Sequence, residues 1–382
     1  MKHISERESE LPPAIIGQLL EIAAEHKEII SLGPGEPDFP MSPDLVRYTR
    51  KIADQVNHYS PPIGRTALRE ALLKKLKKEN KIDVEIDNVT VTTGSQEGMM
   101  LSMMCTMDAA EQLLVPNPGF MGYIPCAELV DVTPVPYPLT ESNDFEIVPD
   151  DIRRLVTTKT AGLLINTPAN PTGSVITKKT MEELADIIIE KDLYVISDEA
   201  YEHVIYDTKH TSIASLNGMN DHAISLFTFS KSYAMCGFRL GYCVAPADVI
   251  KAIAKSHVYT TLTSPTISQM LAVKALTTQA YTRKMVKEYR RRRDMIVKRL
   301  NMMGLSTRTP QGAFYAFANI QEFEKDSRKF AKAALEKAKV AIVPGSEFGS
   351  FGEGYIRCSY ATKYSLIAKA MDRLEKFVKN YK

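Results

Sequence analysis

The feature that most constrains the fold of this chain is a repeated order of apolar run, turn-forming cluster and amphipathic stretch. The apolar runs are rich in Val, Ile, Thr and Leu, as strands are, and the stretches that follow show the period of helices. Examples are NVTVTTGSQEGMM, EQLLVPNPGFMGYIPCAEL, TAGLLINTPANPTG, LYVISDEAY and AISLFTFSK. Such alternation predicts an α/β fold with a mostly parallel sheet between two layers of helices.

A second pattern replaces the first one after about Pro246. Long charged helical stretches come first, and the short strand-like runs GAFYAFANI, VAIVPGSEFG and EGYIRCSYA follow them. This pattern predicts a smaller α+β domain, against which the N-terminal segment packs. We therefore expect an N-terminal arm that is part of the small domain over residues 1–45, a large domain over 46–275 and a small C-terminal domain over 276–382.

Charge and cysteine content exclude several classes of function. The chain has 382 residues, and 48 Lys and Arg against 46 Asp and Glu give a net charge of only +2, which does not favour nucleic acid or an anionic membrane. The run Arg290–Arg293 lies in a helical pattern with acids nearby, which indicates a solvated or ion-paired face. The five Cys are scattered without C-x-x-C spacing, so we expect no zinc site and no disulfide framework.

The N-terminal sequence and the hydropathy pattern bear on localisation. MKHISERESELPP alternates charges and lacks the apolar region of a signal peptide, and no apolar run reaches 18 residues. We therefore expect a cytoplasmic protein that binds neither membrane nor nucleic acid. Because the start of the chain is short and acidic, we also expect no added DNA-binding domain.

Polar clusters follow several of the predicted strands, where ligands bind in parallel sheets. Gly94, Ser95 and Gln96 stand between a strand and a helix, and their backbone N–H groups could hold a phosphate or simply begin the helix. Asn170 lies between two prolines that restrict the backbone, and a plain turn is the alternative there. Each cluster alone is a weak signal.

Two further clusters carry charge into apolar surroundings. Asp198 ends a buried strand, with Tyr201 close behind it, so its carboxylate needs a cation, a metal ion or several hydrogen-bond donors. Lys231 and Arg239 stand in the small-residue and apolar segment FTFSKSYAMCGFRLGY. We expect both cations to be buried and an anionic ligand to justify them, because an unpaired buried cation is costly.

The order of these motifs resembles that of the class I/II aminotransferases, the pyridoxal-phosphate enzymes of fold type I. The resemblance rests on GSQEGM, NTPANPTG, SDEAYEHV, FSKSYAMCGFRLGY and GYIRCSYA, with ISLGPGEPDFP and HYSPPIGRTALREA in the N-terminal part. It covers nearly the whole chain, and the general character of the sequence is most similar to that of archaeal aromatic and aspartate aminotransferases. The resemblance implies a seven-stranded type of central sheet, pyridoxal 5'-phosphate (PLP) as cofactor and no metal.

The resemblance also implies the roles of individual residues. Lys231 would bond covalently to the cofactor aldehyde and then move a proton, and Asp198 would pair with the pyridine nitrogen. Asn170 and Tyr201 would hydrogen-bond the O3′ oxygen of the ring, and Phe120 would stack on its face, although a core aromatic is the alternative there. The cofactor phosphate would be held by Ser95, Gln96, Thr228, Ser230 and Arg239.

The substrate side of the site follows from the same resemblance. Arg357 would bind the substrate's α-carboxylate with its planar fork, with a structural Arg as the alternative. Gly35 would belong to a loop that closes over the substrate. Tyr59 would reach the phosphate from the neighbouring subunit, which implies a homodimer with active sites at the subunit interface.

The resemblance implies transamination between an L-amino acid, aromatic or aspartate-like, and a 2-oxo acid, 2-oxoglutarate being the expected one. A PLP-dependent C–S lyase on the same fold is the alternative. Arg65 is a candidate for binding a distal carboxylate, and a surface role is its alternative. The loop YTTLTSPT offers hydroxyls and no cation. We therefore expect a pocket that admits aromatic or other large side chains.

Overall fold

A computed structural model describes residues 3–5, 8, 9, 11, 17, 25, 26 and 28–381. Most of the predicted N-terminal arm therefore lies outside the described residues. The strands are β1 (Ile30–Ser31), β2 (Val89–Thr92), β3 (Gln112–Asn117), β4 (Thr133–Pro138), β5 (Thr160–Asn166), β6 (Tyr194–Asp198), β7 (Ala223–Thr228), β8 (Gly241–Val244), β9 (Tyr315–Asn319), β10 (Val340–Ala341), β11 (Val343–Pro344) and β12 (Tyr355–Ser359).

Helices fill most of the connections between these strands. They are α1 (Pro43–Ile52), α2 (Thr66–Lys75), α3 (Ser95–Thr106), α4 (Tyr123–Leu129), α5 (Pro149–Leu155), α6 (Lys178–Glu190), α7 (Phe229–Ser232), α8 (Ala247–Thr260), α9 (Thr266–Ala275), α10 (Gln279–Met302), α11 (Ser327–Ala333) and α12 (Tyr364–Lys379). The predicted α/β class is confirmed. None of these described helices is both long and apolar enough to cross a membrane.

A seven-stranded sheet forms the centre of the larger part of the molecule. Its strand order is β2-β8-β7-β6-β5-β3-β4, and β8 runs antiparallel to both of its neighbours while the other pairs are parallel. The central strands are apolar and buried along their length, as expected for a sheet with helices on both faces. The carboxyl ends of β5, β6 and β7 therefore meet at one edge of the sheet.

The edge strand β4 is rich in proline. Its sequence TPVPYP has three prolines, a residue that interior strands rarely contain. The strand is bonded only to β3 in this sheet, which leaves one side without a ladder partner. Proline lacks a backbone N–H and is tolerated in such an edge position.

A smaller assembly of strands and helices is built mainly from the C-terminal part. An antiparallel sheet has the order β11-β12-β9, and β1 pairs in parallel with β10, Ile30 opposite Val340. A shared apolar cluster joins Ile30 and Leu32 to α10 and α12. Residues 30–32 thus pack with the C-terminal part, while the domain boundaries given above remain predictions.

The arginine run on α10 is ion-paired. Arg292 contacts Asp38 at 2.7 Å, Arg293 contacts Asp207 at 2.8 Å and Arg291 contacts Glu288 at 2.9 Å. Arg292 and Arg293 are buried, so this face is less solvated than the sequence suggests. These contacts account for the run without nucleic acid.

Candidate active site

The predicted site residues surround one cavity of about 270 Å³ at the carboxyl edge of the large sheet. The loops after β2, β5, β6 and β7 supply most of its lining, and β9, β12, the loop after β3 and the segment after β1 supply the rest. The predicted residues that line it are Gly35, Ser95, Gln96, Phe120, Asn170, Asp198, Tyr201, Thr228, Ser230, Lys231, Arg239 and Arg357. Residues spread over more than 300 positions of sequence are thereby gathered at one place.

Tyr59 does not line the cavity of its own chain. Its side chain is 81% exposed. The predicted role of Tyr59 in a neighbouring subunit requires an exposed side chain, and this position meets that requirement.

The start of helix α3 forms one end of the cavity. Gly94 precedes the helix with φ at +85°, a conformation that favours glycine. A Cβ on Gly94 would lie 2.7 Å from Arg239 Nη2, so glycine also lets the guanidinium approach the start of the helix. The free N–H groups of the first helical turn and the Arg239 cation together suit an anion.

Two hydroxyls stand beside this helix start. Thr228 ends β7, and its Oγ1 accepts a hydrogen bond from the Ser230 N–H at 3.1 Å, which begins the short helix α7. The Thr228 hydroxyl also contacts Ser230 Oγ at 3.0 Å. This cap fixes the direction of α7 and sets Lys231 at the cavity.

The Lys231 amine is engaged by backbone. Its Nζ donates a hydrogen bond to the Gly35 carbonyl at 2.6 Å. Lys231 is partly accessible, and Arg239 is exposed in the chain. The expectation that both cations are buried is therefore wrong, because the cavity opens to solvent at their side of the sheet edge.

Asp198 forms the base of the cavity. Its Oδ2 accepts a hydrogen bond from the Tyr123 hydroxyl at 2.8 Å, and its Oδ1 accepts one from the Ala200 N–H at 3.1 Å. Removal from water raises the pKa of the Asp198 carboxyl above its ordinary value, and the hydrogen bond from Tyr123 acts in the opposite direction. A cationic ligand group at this carboxylate would relieve the cost of its burial.

Asn170 and Arg357 form the wall opposite. The Asn170 N–H donates to Asn166 Oδ1 at 2.8 Å, which ties it to the end of β5. Arg357 Nη1 donates to Asn170 Oδ1 at 2.9 Å, and Arg357 Nη2 donates to the Gly33 carbonyl at 2.6 Å. Arg357 Nε is buried without a hydrogen-bond partner in the described structure. This guanidinium therefore retains capacity for an anion.

Tyr201 and Phe120 complete the lining that the sequence analysis predicted. The Tyr201 hydroxyl contacts the Tyr315 hydroxyl at 2.7 Å, and burial raises the pKa of Tyr201 well above its ordinary range. Phe120 packs edge-on against Tyr123, with ring centroids 5.4 Å apart. An aromatic face and a phenol thus flank the carboxylate of Asp198.

The candidates for the substrate side chain lie elsewhere. The backbone N–H of Arg65 donates to Gln269 Oε1 at 2.9 Å, and Arg65 is not among the residues that line the cavity. The hydroxyls of the loop at residues 259–266 face their own chain. Thr266 Oγ1 donates to the His58 carbonyl at 2.6 Å, and Thr261 Oγ1 donates to Glu97 Oε1 at 2.7 Å. None of residues 259–266 is among those that line the cavity of a single chain.

Sequence reasoning missed residues that support the site. Tyr123 holds Asp198, Tyr315 holds Tyr201, and the Gly33 carbonyl holds Arg357. Tyr123 lies in the segment EQLLVPNPGFMGYIPCAEL, and Tyr315 lies in GAFYAFANI. Neither tyrosine belongs to a polar cluster that follows a strand of the large sheet, and such clusters are the signal that points to the other site residues.

The arrangement can perform a defined set of chemical tasks. A helix start with Arg239 suits a phosphate, and Asp198 suits a cationic ring nitrogen. Arg357 suits a carboxylate, and the Lys231 amine can act as a nucleophile or a base. All of these groups line the same cavity.

Known proteins match the chain over nearly its full length. The family model described as aminotransferase class I and II matches residues 27–374. An aspartate aminotransferase of Pyrococcus abyssi is 44% identical over 99% of both chains, and an aromatic-amino-acid aminotransferase 2 of Thermococcus litoralis is 42% identical over the same shares. The solved structure of a Thermus thermophilus aspartate aminotransferase with maleate superposes with a TM-score of 0.93 at 32% identity, covering 99% of this chain and 100% of that one. The chain belongs to the class I and II aminotransferases.

Proposed function

We propose that this aminotransferase moves the amino group of an aromatic or aspartate-like L-amino acid to 2-oxoglutarate, with PLP held in the cavity described above. The observation that carries the proposal is the convergence of Lys231, Asp198 and Arg357 on one cavity beside a helix start. The names of the relatives support transamination over the alternative of a C–S lyase.

The residues present fit PLP by the chemistry of their donors. The start of α3, with Ser95 and Gln96, would hold the phosphate together with Thr228, Ser230 and Arg239. Asp198 would hold the pyridine nitrogen, and Asn170 and Tyr201 would hold the ring hydroxyl. Phe120 offers an aromatic face for the ring. When bound, PLP supplies an electron sink for the negative charge that develops on the substrate's Cα.

Lys231 would act on both cofactor and substrate. Its side chain provides the covalent attachment point, and its freed amine removes the proton from the substrate's Cα as a general base. The Gly35 carbonyl, 2.6 Å from Lys231 Nζ, fixes where that amine stands when it is not bonded elsewhere. The base and the loop over the substrate are thus connected.

Arg357 would orient the substrate. Its buried Nε is available for the α-carboxylate, while Asn170 and Gly33 hold the rest of the guanidinium in place. A carboxylate bound here fixes the Cα relative to Lys231, and such positioning lowers the entropic part of the barrier. Both the donor amino acid and the acceptor 2-oxo acid carry this carboxylate, so one Arg serves both halves of a ping-pong reaction.

We further propose a cytoplasmic homodimer that acts in amino-acid metabolism. The exposed Tyr59 supports the dimer, because a tyrosine that is 81% exposed in the single chain is free to complete a neighbour's site. Tyr59 would then reach the cofactor phosphate of the other subunit.

Substrate preference follows from charge. The cations that line the cavity are Lys231, Arg239 and Arg357, and each already has a role in this proposal. We therefore propose that aromatic donors are accepted at least as well as aspartate. Arg65 of the partner subunit stays the candidate for a distal carboxylate.

Steady-state kinetics with 2-oxoglutarate and Phe, Tyr, Asp, Ala or 2-aminoadipate as donor test the proposal. We expect glutamate and the 2-oxo acid of the donor as products. The kcat/KM values for Phe and Tyr should equal or exceed the value for Asp. A hundredfold preference for Asp, about 2.7 kcal/mol, would contradict the substrate assignment and direct attention to Arg65→Ala. Release of pyruvate and ammonia from an S-alkyl-L-cysteine, with no transfer of an amino group from the other donors to 2-oxoglutarate, would contradict transamination itself.

A further inference from the structure

We propose that Tyr315 is a positioning residue for transamination, which sets the cofactor side and the substrate side of the cavity relative to each other. It does so through three contacts, with Tyr201, Arg357 and Gly35. The inference goes beyond the proposed function and rests on the roles given there to Tyr201 and Arg357. Tyr315 lines the cavity and is itself 1% exposed.

The sheet register brings Tyr315 next to Arg357. Strand β9 pairs with β12 so that Phe317 lies opposite Arg357 and Tyr315 lies opposite Ser359. Residues two apart on a strand share a face, so Tyr315 and Arg357 are diagonal neighbours on the same face. The pairing of two strands therefore fixes this contact.

The first contact is with the guanidinium of Arg357. Its central carbon lies 4.3 Å from the centroid of the Tyr315 ring. An aromatic face attracts a cation more strongly when water is excluded, and Arg357 is only 3% exposed. The ring covers one face of the guanidinium, while the two bonded Nη atoms fix its rotation. The unpartnered Nε is then held in a single direction for an incoming carboxylate.

The second contact is with Tyr201. The two hydroxyl oxygens are 2.7 Å apart, and the rings meet edge to face. One hydroxyl must donate to the other, so this contact occupies either the proton or a lone pair of the Tyr201 hydroxyl and limits the direction of its remaining hydrogen bonds. A phenol that is to hold an oxygen of the cofactor ring depends on that direction.

The third contact is with the loop that carries Gly33 and Gly35. A Cβ on Gly35 would lie 2.4 Å from the Tyr315 hydroxyl oxygen and 3.4 Å from the next ring atom. The hydroxyl therefore packs directly on the Gly35 backbone. This loop also accepts hydrogen bonds from Lys231 and Arg357, so Tyr315 supports the acceptors of both.

Two variants separate the hydroxyl from the ring, and Tyr289→Phe is the matched control. Tyr289 is equally buried and packs on the same Phe314, but its hydroxyl has no partner in the described structure. We expect Tyr315→Phe to lower kcat about fivefold, the size of one lost hydrogen bond, with KM for the amino acid nearly unchanged. We expect Tyr289→Phe to leave both values unchanged.

Tyr315→Leu removes the nearer of the two rings beside Arg357, since the Phe348 ring lies 4.9 Å from the same guanidinium carbon. We expect KM for the amino acid to rise about tenfold, the size of a desolvated cation–aromatic contact. The dissociation constant of 3-phenylpropionate, measured by calorimetry with the PLP-loaded enzyme, should rise by the same factor. This acid has the carboxylate of the substrate and no amino group, so its binding reports on Arg357 without turnover.

A third pair of variants tests the packing on Gly35. Gly35→Ala should lower kcat/KM sharply in the wild-type background, because its methyl group overlaps the Tyr315 hydroxyl. The same change in the Tyr315→Phe background should cost less than threefold, since the nearest remaining atom is then at an ordinary contact distance. Equal effects in both backgrounds would contradict the contact.

The outcomes separate this inference from the proposed function. A wild-type enzyme without transamination would overturn the function. A wild-type enzyme that transaminates, with Tyr315→Phe indistinguishable from Tyr289→Phe and with 3-phenylpropionate binding unchanged in Tyr315→Leu, would overturn the inference alone.

Discussion

Two carboxylates four residues apart have opposite environments in this protein. Asp198 faces the cavity and is held by the neutral donors Tyr123 and Ala200, and burial raises its pKa. Glu202 lies behind the cavity wall, where Lys75 Nζ contacts its Oε1 at 2.6 Å and its Oε2 at 2.5 Å. Burial acts to raise the pKa of Glu202 as well, but the charge of Lys75 and further donors lower it to about 2.

The cluster around Glu202 is saturated, whereas the cavity is not. Asn80 donates to Glu202 Oε2 at 2.7 Å and accepts from Lys75 Nζ at 2.7 Å. Lys75 also lies 4.6 Å from the ring centroid of Phe227. Every charge in this cluster has a partner within the chain, while Arg357 Nε and Asp198 are left with capacity for a ligand. A charged side chain that stabilises the fold can therefore be distinguished from one that serves the active site by whether the chain itself supplies its partners, even within one short segment.

The largest effect that this comparison predicts is on the cavity side, at Lys231. Lys231→Ala removes the nucleophile and the base, so we expect transamination to fall about a thousandfold or more while the melting temperature changes little. Turnover and thermal unfolding of the purified variant measure both. Lys209→Ala, at an exposed lysine, is the control and should change neither. Substantial turnover in Lys231→Ala would show that the amine acts elsewhere.

Asp198→Asn should separate catalysis from stability. We expect a loss of about a hundredfold or more in kcat, because a neutral amide cannot hold a protonated pyridine nitrogen. The cofactor-free variant should melt no lower than the wild type, since the change removes a buried charge that has no ion pair within 4 Å among the described residues. Near wild-type turnover would reduce Asp198 to a structural role.

Glu202→Gln should do the reverse. Breaking a buried ion pair leaves the Lys75 charge uncompensated, and we expect the free energy of unfolding to fall by about 3–5 kcal/mol. Activity at low temperature should stay within about twofold of wild type. Urea unfolding measures the first value, and the double variant Lys75→Met/Glu202→Met should recover much of the loss. An unchanged unfolding midpoint would contradict the contrast between the two carboxylates.

The smallest predicted effect is on the pH dependence of stability. The pKa of Glu202 is lower in the folded chain than in the unfolded one, so its contribution is complete above an unfolded pKa of about 4.3 and is lost as pH falls toward 2. The pKa of Asp198 is raised, so its cost appears as pH increases through that pKa. Urea titrations from neutral to acidic pH should therefore show the gap between wild type and Glu202→Gln closing as pH falls. A gap that does not change would contradict the ion pair.

Part of this site could be predicted because parallel strands end at a common edge. The clusters after β2, β5, β6 and β7 were separate in sequence, and sheet topology alone brings Ser95, Asn170, Asp198 and Lys231 together. The alternation of apolar and amphipathic runs carries that topology. The role of each residue was inferred from the order of the motifs along the chain, because the sheet geometry by itself assigns no chemical role.

The rest depends on contacts that no local pattern encodes. Tyr123 and Asp198 are 75 residues apart, and Tyr201 and Tyr315 are 114 apart, so only the tertiary fold joins them. Lys75 stands in the lysine-rich run LLKKLKKENK, which has the pattern of a solvated face, yet its side chain is 4% exposed. The local sequence pattern cannot show that Glu202, the ion-pair partner of Lys75, lies 127 residues further along the chain.

We propose above that the cofactor is bound covalently to the Lys231 amine in this cavity. Reduction of the PLP-loaded enzyme with borohydride makes a lysine–cofactor bond permanent, and mass spectrometry of the digested protein locates it. We predict a single pyridoxyl-phosphate adduct on Lys231, absent from Lys231→Ala. An adduct on another lysine, or a loaded enzyme with no adduct after reduction, would contradict the account.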